Sequence, residues 1–208
     1  MHACFFCLDS DPPPIQSGCA CRSDGGFVHV ECRVQDALKR DPDAWQICKV
    51  CDQPFTGPLA IALAQELWSR KRNLPGHNNE RIHALDLMAT SLHKQGRYSE
   101  AEAMHREGVA IKRKVRGDEH PTTLDSAGSL ANALSRQGKF AEAATIQREV
   151  LEVKKRLFGT EHESTLACAN DMGQILVGQE KFSQAEAMHR ETHAAGKRTN
   201  GAPHACGL

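Results

Sequence analysis

Cys4-x2-Cys7, Cys19-x-Cys21, His29-x2-Cys32 and Cys48-x2-Cys51 are four pairs of soft or borderline donors, separated by gaps of eleven, seven and fifteen residues. Each pair is close enough to grip one ion from a tight turn. Thiolate and imidazole are the donors a tetrahedral zinc ion takes. Eight of them fill two four-coordinate sites and leave no position for a reacting water, so the two Zn2+ ions they imply are structural. Seven of the nine cysteines lie in the first 51 residues. In a reducing compartment that clustering favours metal over disulfides, and seven is an odd number to pair. The other histidines are scattered through helical segments and read as surface, groove or helix-cap residues. No His-Glu-x-x-His, phosphate loop or nucleophile elbow occurs, so no catalytic residue is assigned.

The elements that hold these donors are short. Asp9 to Pro14 and Ser23 to Gly26 supply little core material. A segment of this size cannot bury enough apolar surface alone, and metal binding would supply of order 10 kcal/mol per site. Residues 31–40 read as a helix with Val34, Ala37 and Leu38 on one side.

Beyond the cysteines the chain repeats with a period of 42. Gly96-Arg97-Tyr98 recurs as Gly138-Lys139-Phe140 and Glu180-Lys181-Phe182, and the link Gly117-Asp118-Glu119-His120 recurs as Gly159-Thr160-Glu161-His162 and Gly201-Ala202-Pro203-His204. Ala101 to Glu107 returns unchanged at Ala185 to Glu191. Such self-similarity signals a solenoid. Each repeat reads as two helices. The first carries Leu85, Met88, Ala89 and Leu92, or Ala127, Leu130, Ala131 and Leu134, at helical spacing. Gly96 or Gly138 permits a left-handed cap. The second helix runs from about Ser99 to Val115, or Ala141 to Leu157. Ala89, Ala101, Ala131 and Ala143 allow close approach, and Pro121 suits a first turn. Half a repeat, Pro58 to Arg72, precedes the first full one. The expected fold class is mostly α: a small two-zinc finger over 1–56, a connecting helix and link over 57–79, and a solenoid of antiparallel helix pairs with three repeats over 80–204.

Composition narrows the partners. The 26 basic and 26 acidic residues cancel, and the first 56 residues carry eight Asp or Glu against five Lys or Arg, which argues against nucleic acid. The longest apolar stretch, Pro58 to Ala64, is far below the ~20 residues a membrane span needs, so no membrane is expected. No basic-then-apolar leader opens the chain. The expected location is cytoplasmic, with the nucleus not excluded.

The cysteine pattern, with Gly26-Phe27-Val28-His29-Val30-Glu31-Cys32 and Cys48-Lys49-Val50-Cys51-Asp52-Gln53-Pro54-Phe55, resembles the RING-CH (RING variant) finger. The resemblance implies cross-braced pairing: Cys4, Cys7, His29 and Cys32 on one zinc, Cys19, Cys21, Cys48 and Cys51 on the other. It also implies recruitment of a ubiquitin-charged conjugating enzyme through an apolar surface, here Phe5 and Phe6 with Trp45 and Ile47. Trp45 is the expected exposed anchor. Where that family carries a basic residue after the last ligand and a Trp on the helix, this chain has Asp52 and Asp36. The repeats resemble the tetratricopeptide repeats of kinesin light chains, on the Gly-x-x-His link and on Gln95-Gly96-Arg97-Tyr98-Ser99-Glu100-Ala101-Glu102. That resemblance implies a concave face for a protein or peptide ligand, at Asp86, Thr90, His93, Lys94, Asn132, Ser135, Arg136, Asn170 and Gln174. Two functions stand open: a ubiquitin ligase whose finger positions the conjugating enzyme while the repeats hold the substrate, and a non-enzymatic scaffold with a structural finger.

Overall fold

In a computed structural model the described residues are 6–7, 10–12, 14–16, 27–39, 42–48 and 51–201. The chain divides into two compact units, Met1–Lys94 and Gln95–Leu208.

The first unit begins with an antiparallel pair of two-residue strands, β1 (Ile15–Gln16) and β2 (Phe27–Val28), in the register Ile15 to Val28 and Gln16 to Phe27. His29 follows directly and caps α1 (Val30–Leu38). A 3-10 turn, Pro42–Trp45, leads to a tight hairpin in which Ile47 pairs with Pro54. Then come α2 (Gly57–Lys71) and α3 (Asn79–Lys94), packed on each other. One core serves them all. Val28, Val34, Ala37, Trp45 and Phe55 from the finger share it with Leu59, Leu63 and Leu67 of α2 and Ala84 of α3. Burial on α1 differs from expectation at one place. Val34 and Ala37 are buried, but Leu38 is 44% exposed and Arg33 is buried instead. Arg33 is held by carbonyls and an aromatic face: Nη2 donates to the Ala44 carbonyl at 2.7 Å, and the guanidinium lies 4.7 Å from the Phe55 ring centre. Its Nη1 donates to the Asp36 carboxylate. Asp36 thus completes a buried ion pair that organises the loop after α1.

The second unit contains α4 (Tyr98–Arg116), α5 (Pro121–Arg136), α6 (Phe140–Phe158), α7 (Glu163–Gly178) and α8 (Phe182–Gly201), each packed on the next in sequence. α5 also touches α7. Leu124, Leu130 and Leu134 of α5, Val150 and Leu151 of α6, and Met172, Ile175 and Leu176 of α7 form its core. The small residues fall where the periodicity places them, with Ala101, Ala131 and Ala143 fully buried.

The repeat is visible in the bonds. Gln137 Nε2 donates to the Tyr98 carbonyl at 3.2 Å, and Gln179 Nε2, 42 residues later, donates to the Phe140 carbonyl at 3.1 Å. Arg156 pairs with Glu119 and Arg198 with Glu161, again one period apart. His120 and His162 cap α5 and α7, their Nδ1 atoms accepting from the backbone N–H of Thr122 and Ser164. Gly96 and Gly138 take φ of 76° and 77° two residues before α4 and α6, and Glu180 takes φ 60° two residues before α8. The link at Ala202-Pro203-His204 lies outside the described residues.

Candidate functional site

Among the described residues the fold brings three of the eight expected donors together. The Phe6–Cys7 turn, the end of β2 and the first turn of α1 place Cys7 Sγ, His29 Nδ1 and Cys32 Sγ all within 4.8 Å of one another. Cys7 Sγ is 3.3 Å and Cys32 Sγ 3.8 Å from His29 Nδ1. A tetrahedral zinc with Zn–S about 2.3 Å and Zn–N about 2.0–2.1 Å sets sulfur-to-nitrogen separations of about 3.6 Å. The donor set therefore fits the ion. The far side of the imidazole fits as well: His29 Nε2 lies 2.5 Å from the Pro12 carbonyl oxygen. A carbonyl can only accept, so Nε2 carries the proton and Nδ1 presents its lone pair to the thiols.

The second expected site is described for half of its ligands. Cys48 accepts from the Asp52 N–H at 2.8 Å and donates to the Gln53 carbonyl at 2.9 Å, which folds Cys48 and Cys51 into one tight turn. Asp52, with φ 52°, closes that turn in the left-handed region. Cys4, Cys19, Cys21 and Phe5 lie outside the described residues. Among the described residues Cys7, Cys32, Cys48, Cys51 and Cys168 form no disulfide.

The surface expected to meet a conjugating enzyme is corrected at Trp45. That side chain is 7% exposed and belongs to the core shared by the finger and α2. The 3-10 turn rotates it inward, where the indole covers apolar area the short finger could not otherwise bury. Phe6 is 39% exposed, and Ile47 is half-buried.

The candidate groove residues divide between the two units. On α3, Thr90 and Lys94 are exposed and Asp86 and His93 half-buried. On α5, Asn132 and Ser135 are half-buried and Arg136 is exposed, while Asn170 and Gln174 are exposed on α7. The contact of α5 with α7 brings the last five into one unit. Among the described residues the side chains of Asn132, Ser135, Arg136, Asn170 and Gln174 make no hydrogen bond or ion pair, so donors and acceptors stand open along α5 and α7.

Four groups beside this face escape a reading by motif. Lys154 of α6 is buried, with Nζ 2.8 Å from Asp125 Oδ1 and 2.7 Å from Ser164 Oγ, so it ties α5 to α7 from below. Lys112 of α4, one period earlier, is buried too and donates to Ser126 Oγ at 2.6 Å. The recurrence of Lys on the apolar side of the second helix is the signal that could have found them. Asp171, half-buried on α7, has its carboxyl pKa raised by burial, with Lys154 opposing the rise. Burial also pushes the Cys168 thiol up to about 11. It stays protonated at neutral pH, beneath Gln147 Nε2 at 3.2 Å, and is no nucleophile.

Among the described residues no helix is long and apolar enough to cross a membrane. Residues 80–156 and 123–198 match the family model described as tetratricopeptide repeat. Two crystal structures of a Podosopora anserina protein, described as a kinesin light chain with nearly identical TPR-like repeats, superpose with TM-scores of 0.63 and 0.62. Each is 20% identical over 83% of this chain and covers 87% or 88% of its own. BtubC (BKLC) from P. vanneervenii superposes with a TM-score of 0.55, at 22% identity over 68% of this chain and 57% of that one. No protein of curated function matches the chain significantly.

Proposed function

Because the chain belongs to the tetratricopeptide-repeat family, we propose that it is a non-enzymatic protein–protein interaction scaffold, with a structural zinc finger ahead of repeats that bind an extended peptide. The observation that carries this reading is the open polar stripe of Asn132, Ser135, Asn170 and Gln174 on the touching helices α5 and α7. An extended peptide offers a backbone N–H and C=O at every residue, and side-chain amides can donate to one and accept from the other. The finger takes two zinc ions, one on Cys4, Cys7, His29 and Cys32, the other on Cys19, Cys21, Cys48 and Cys51. The mutual spacing of Cys7, His29 and Cys32 supports the first. When bound, the metal supplies cross-links that substitute for a larger core.

The test is peptide capture by the zinc-loaded chain from a display library, followed by affinity measurement. Asn132→Ala and Gln174→Ala should each weaken a selected peptide by about tenfold, the value of one well-formed hydrogen bond of about 1.4 kcal/mol. Unchanged affinity in both variants would remove the groove reading. A ubiquitin-ligase function is a second reading, favoured by the exposure of Phe6 beside Cys7. It requires the charged conjugating enzyme to lose ubiquitin faster in the presence of the chain and not in the presence of Cys32→Ser. The burial of Trp45 takes away the anchor that reading would use, and supports the scaffold.

A further inference from the structure

We propose that the peptide received by the α5–α7 face carries a basic side chain, and that Asp171 is the residue that selects it; this rests on the peptide-binding reading above. The argument is one of unmatched charge. From Glu163 to Gly178, α7 contains no Lys, Arg or His, and α5 contains only Arg136, in its last turn. Against that one cation stand three carboxylates, Asp125, Glu163 and Asp171. Two of the three are already provided for. Asp125 is held by Lys154, whose ammonium is also committed to Ser164. Glu163 is exposed in the first turn of α7, where the helix N-terminus favours an anion.

Asp171 has neither advantage. It sits mid-helix, half-buried, and among the described residues its carboxylate accepts no hydrogen bond. Partial burial makes its ionised form unfavourable, and Lys154 offsets that only in part. A ligand ammonium or guanidinium placed there would restore what burial removed. The same placement would repel an acidic side chain, so the residue discriminates as well as attracts. Gln174, three residues on, is its neighbour on the helix surface, and Asn170 lies one turn before Gln174, so the carboxylate sits at the edge of the row of open amides. A backbone gripped by those amides would lay one side chain over Asp171 and leave the following one facing away, since alternate residues of an extended chain point to opposite sides.

The experiment uses the full zinc-loaded chain and a library of extended peptides with Lys, Leu or Glu at each position in turn. The expected result is enrichment of peptides with Lys or Arg at one fixed position. Replacing that Lys by Leu should cost at least tenfold in affinity. Asp171→Asn, nearly isosteric, should remove that difference while leaving the Leu peptide's affinity within about twofold, and its circular dichroism should match the parent. Asn132→Ala should weaken Lys and Leu peptides alike. Enriched peptides that are neutral or acidic at every position would overturn the inference and leave the groove reading standing. So would an Asp171→Asn variant that weakens both peptides equally. A library with no enriched peptide would overturn the groove reading and this inference with it.

Discussion

Glu102 and Glu186 occupy the same place in an identical stretch of seven residues, yet their surroundings differ. Glu102 is 12% exposed and receives Lys139 at 2.7 Å, Gln137 at 2.8 Å and Arg106 at 2.9 Å. Glu186 is 70% exposed and pairs only with Arg190 among the described residues. Lys139, then Gln137 and Arg106, hold the Glu102 carboxyl down at about 2 against an ordinary 4.5, while burial opposes them. A carboxylate with a depressed pKa stabilises the fold above its unfolded pKa, and the contribution is lost as pH falls through the folded value. Glu102→Gln should therefore lower the melting temperature at neutral pH, by the equivalent of about 1 kcal/mol for a network near the surface. The difference from the parent should shrink between pH of about 4.5 and about 2. Glu186→Gln should change stability by less than about 0.5 kcal/mol at neutral pH, which a parallel melt would check. Glu180 is the other informative residue. It holds a φ of 60° where the two earlier repeats have glycine. Glu180→Gly should raise stability by about 1 kcal/mol in denaturant unfolding, because left-handed backbone costs an L side chain about that much.

At the scale of the helix, packing is decided by which side chain meets which gap. A Cβ on Gly178 would lie 2.2 Å from the Phe140 ring, and one on Gly173 would lie 2.6 Å from the His189 ring. Gly128, on α5, has only Gln147 Oε1 nearby, at 3.8 Å. Gly178→Ala should thus destabilise by about 1–3 kcal/mol, the usual result of overpacking. Gly128→Ala should be neutral or stabilise by up to about 1 kcal/mol, since alanine favours the helix. Urea unfolding of both variants separates the two cases. Helix positions in the repeats are legible in the sequence, because Leu130, Leu134 and their equivalents recur at helical spacing and the His-capped links recur with them. The finger was less legible. Its ligand spacing marks Cys7, His29 and Cys32, but no periodicity runs through a nine-residue helix and a four-residue turn. Whether Arg33 or Leu38 faces inward there depends on Asp36, Ala44 and Phe55, which are distant from periodic rules. The inward turn of Trp45 goes unmarked by periodicity for the same reason. Asp171 carries no signal in the sequence, because its half-burial and the lack, among the described residues, of a hydrogen-bond donor to its carboxylate arise only from the packing of α7.

At the scale of the molecule, the finger is not independent of the helices after it within the first unit. Leu59, Leu63 and Leu67 are buried in the same core as Val34, Trp45 and Phe55. If zinc holds the finger, chelation should expose that shared core as well as the loops. Treatment with a strong chelator should then shift the fluorescence of both Trp45 and Trp68 to the red and reduce helical circular dichroism by more than α1 alone accounts for. A red shift without loss of helix would show that α2 and α3 hold without the finger. The second unit should keep its cooperative melt, since no zinc donor set is assigned to it.

The glutamine contacts have a consequence for inheritance. Each repeat is fastened to its predecessor by a Gln side chain on the backbone carbonyl of the aromatic residue that opens the earlier second helix, Gln137 on Tyr98 and Gln179 on Phe140. A backbone carbonyl is present whatever the side chain, so the fastening is indifferent to which copy it meets. Removing residues 117–158 in register would bring Gln179 to the carbonyl of Tyr98. Unequal crossing-over between copies of the coding sequence could therefore shorten or lengthen the array in whole repeats while every new junction arrived already fitted.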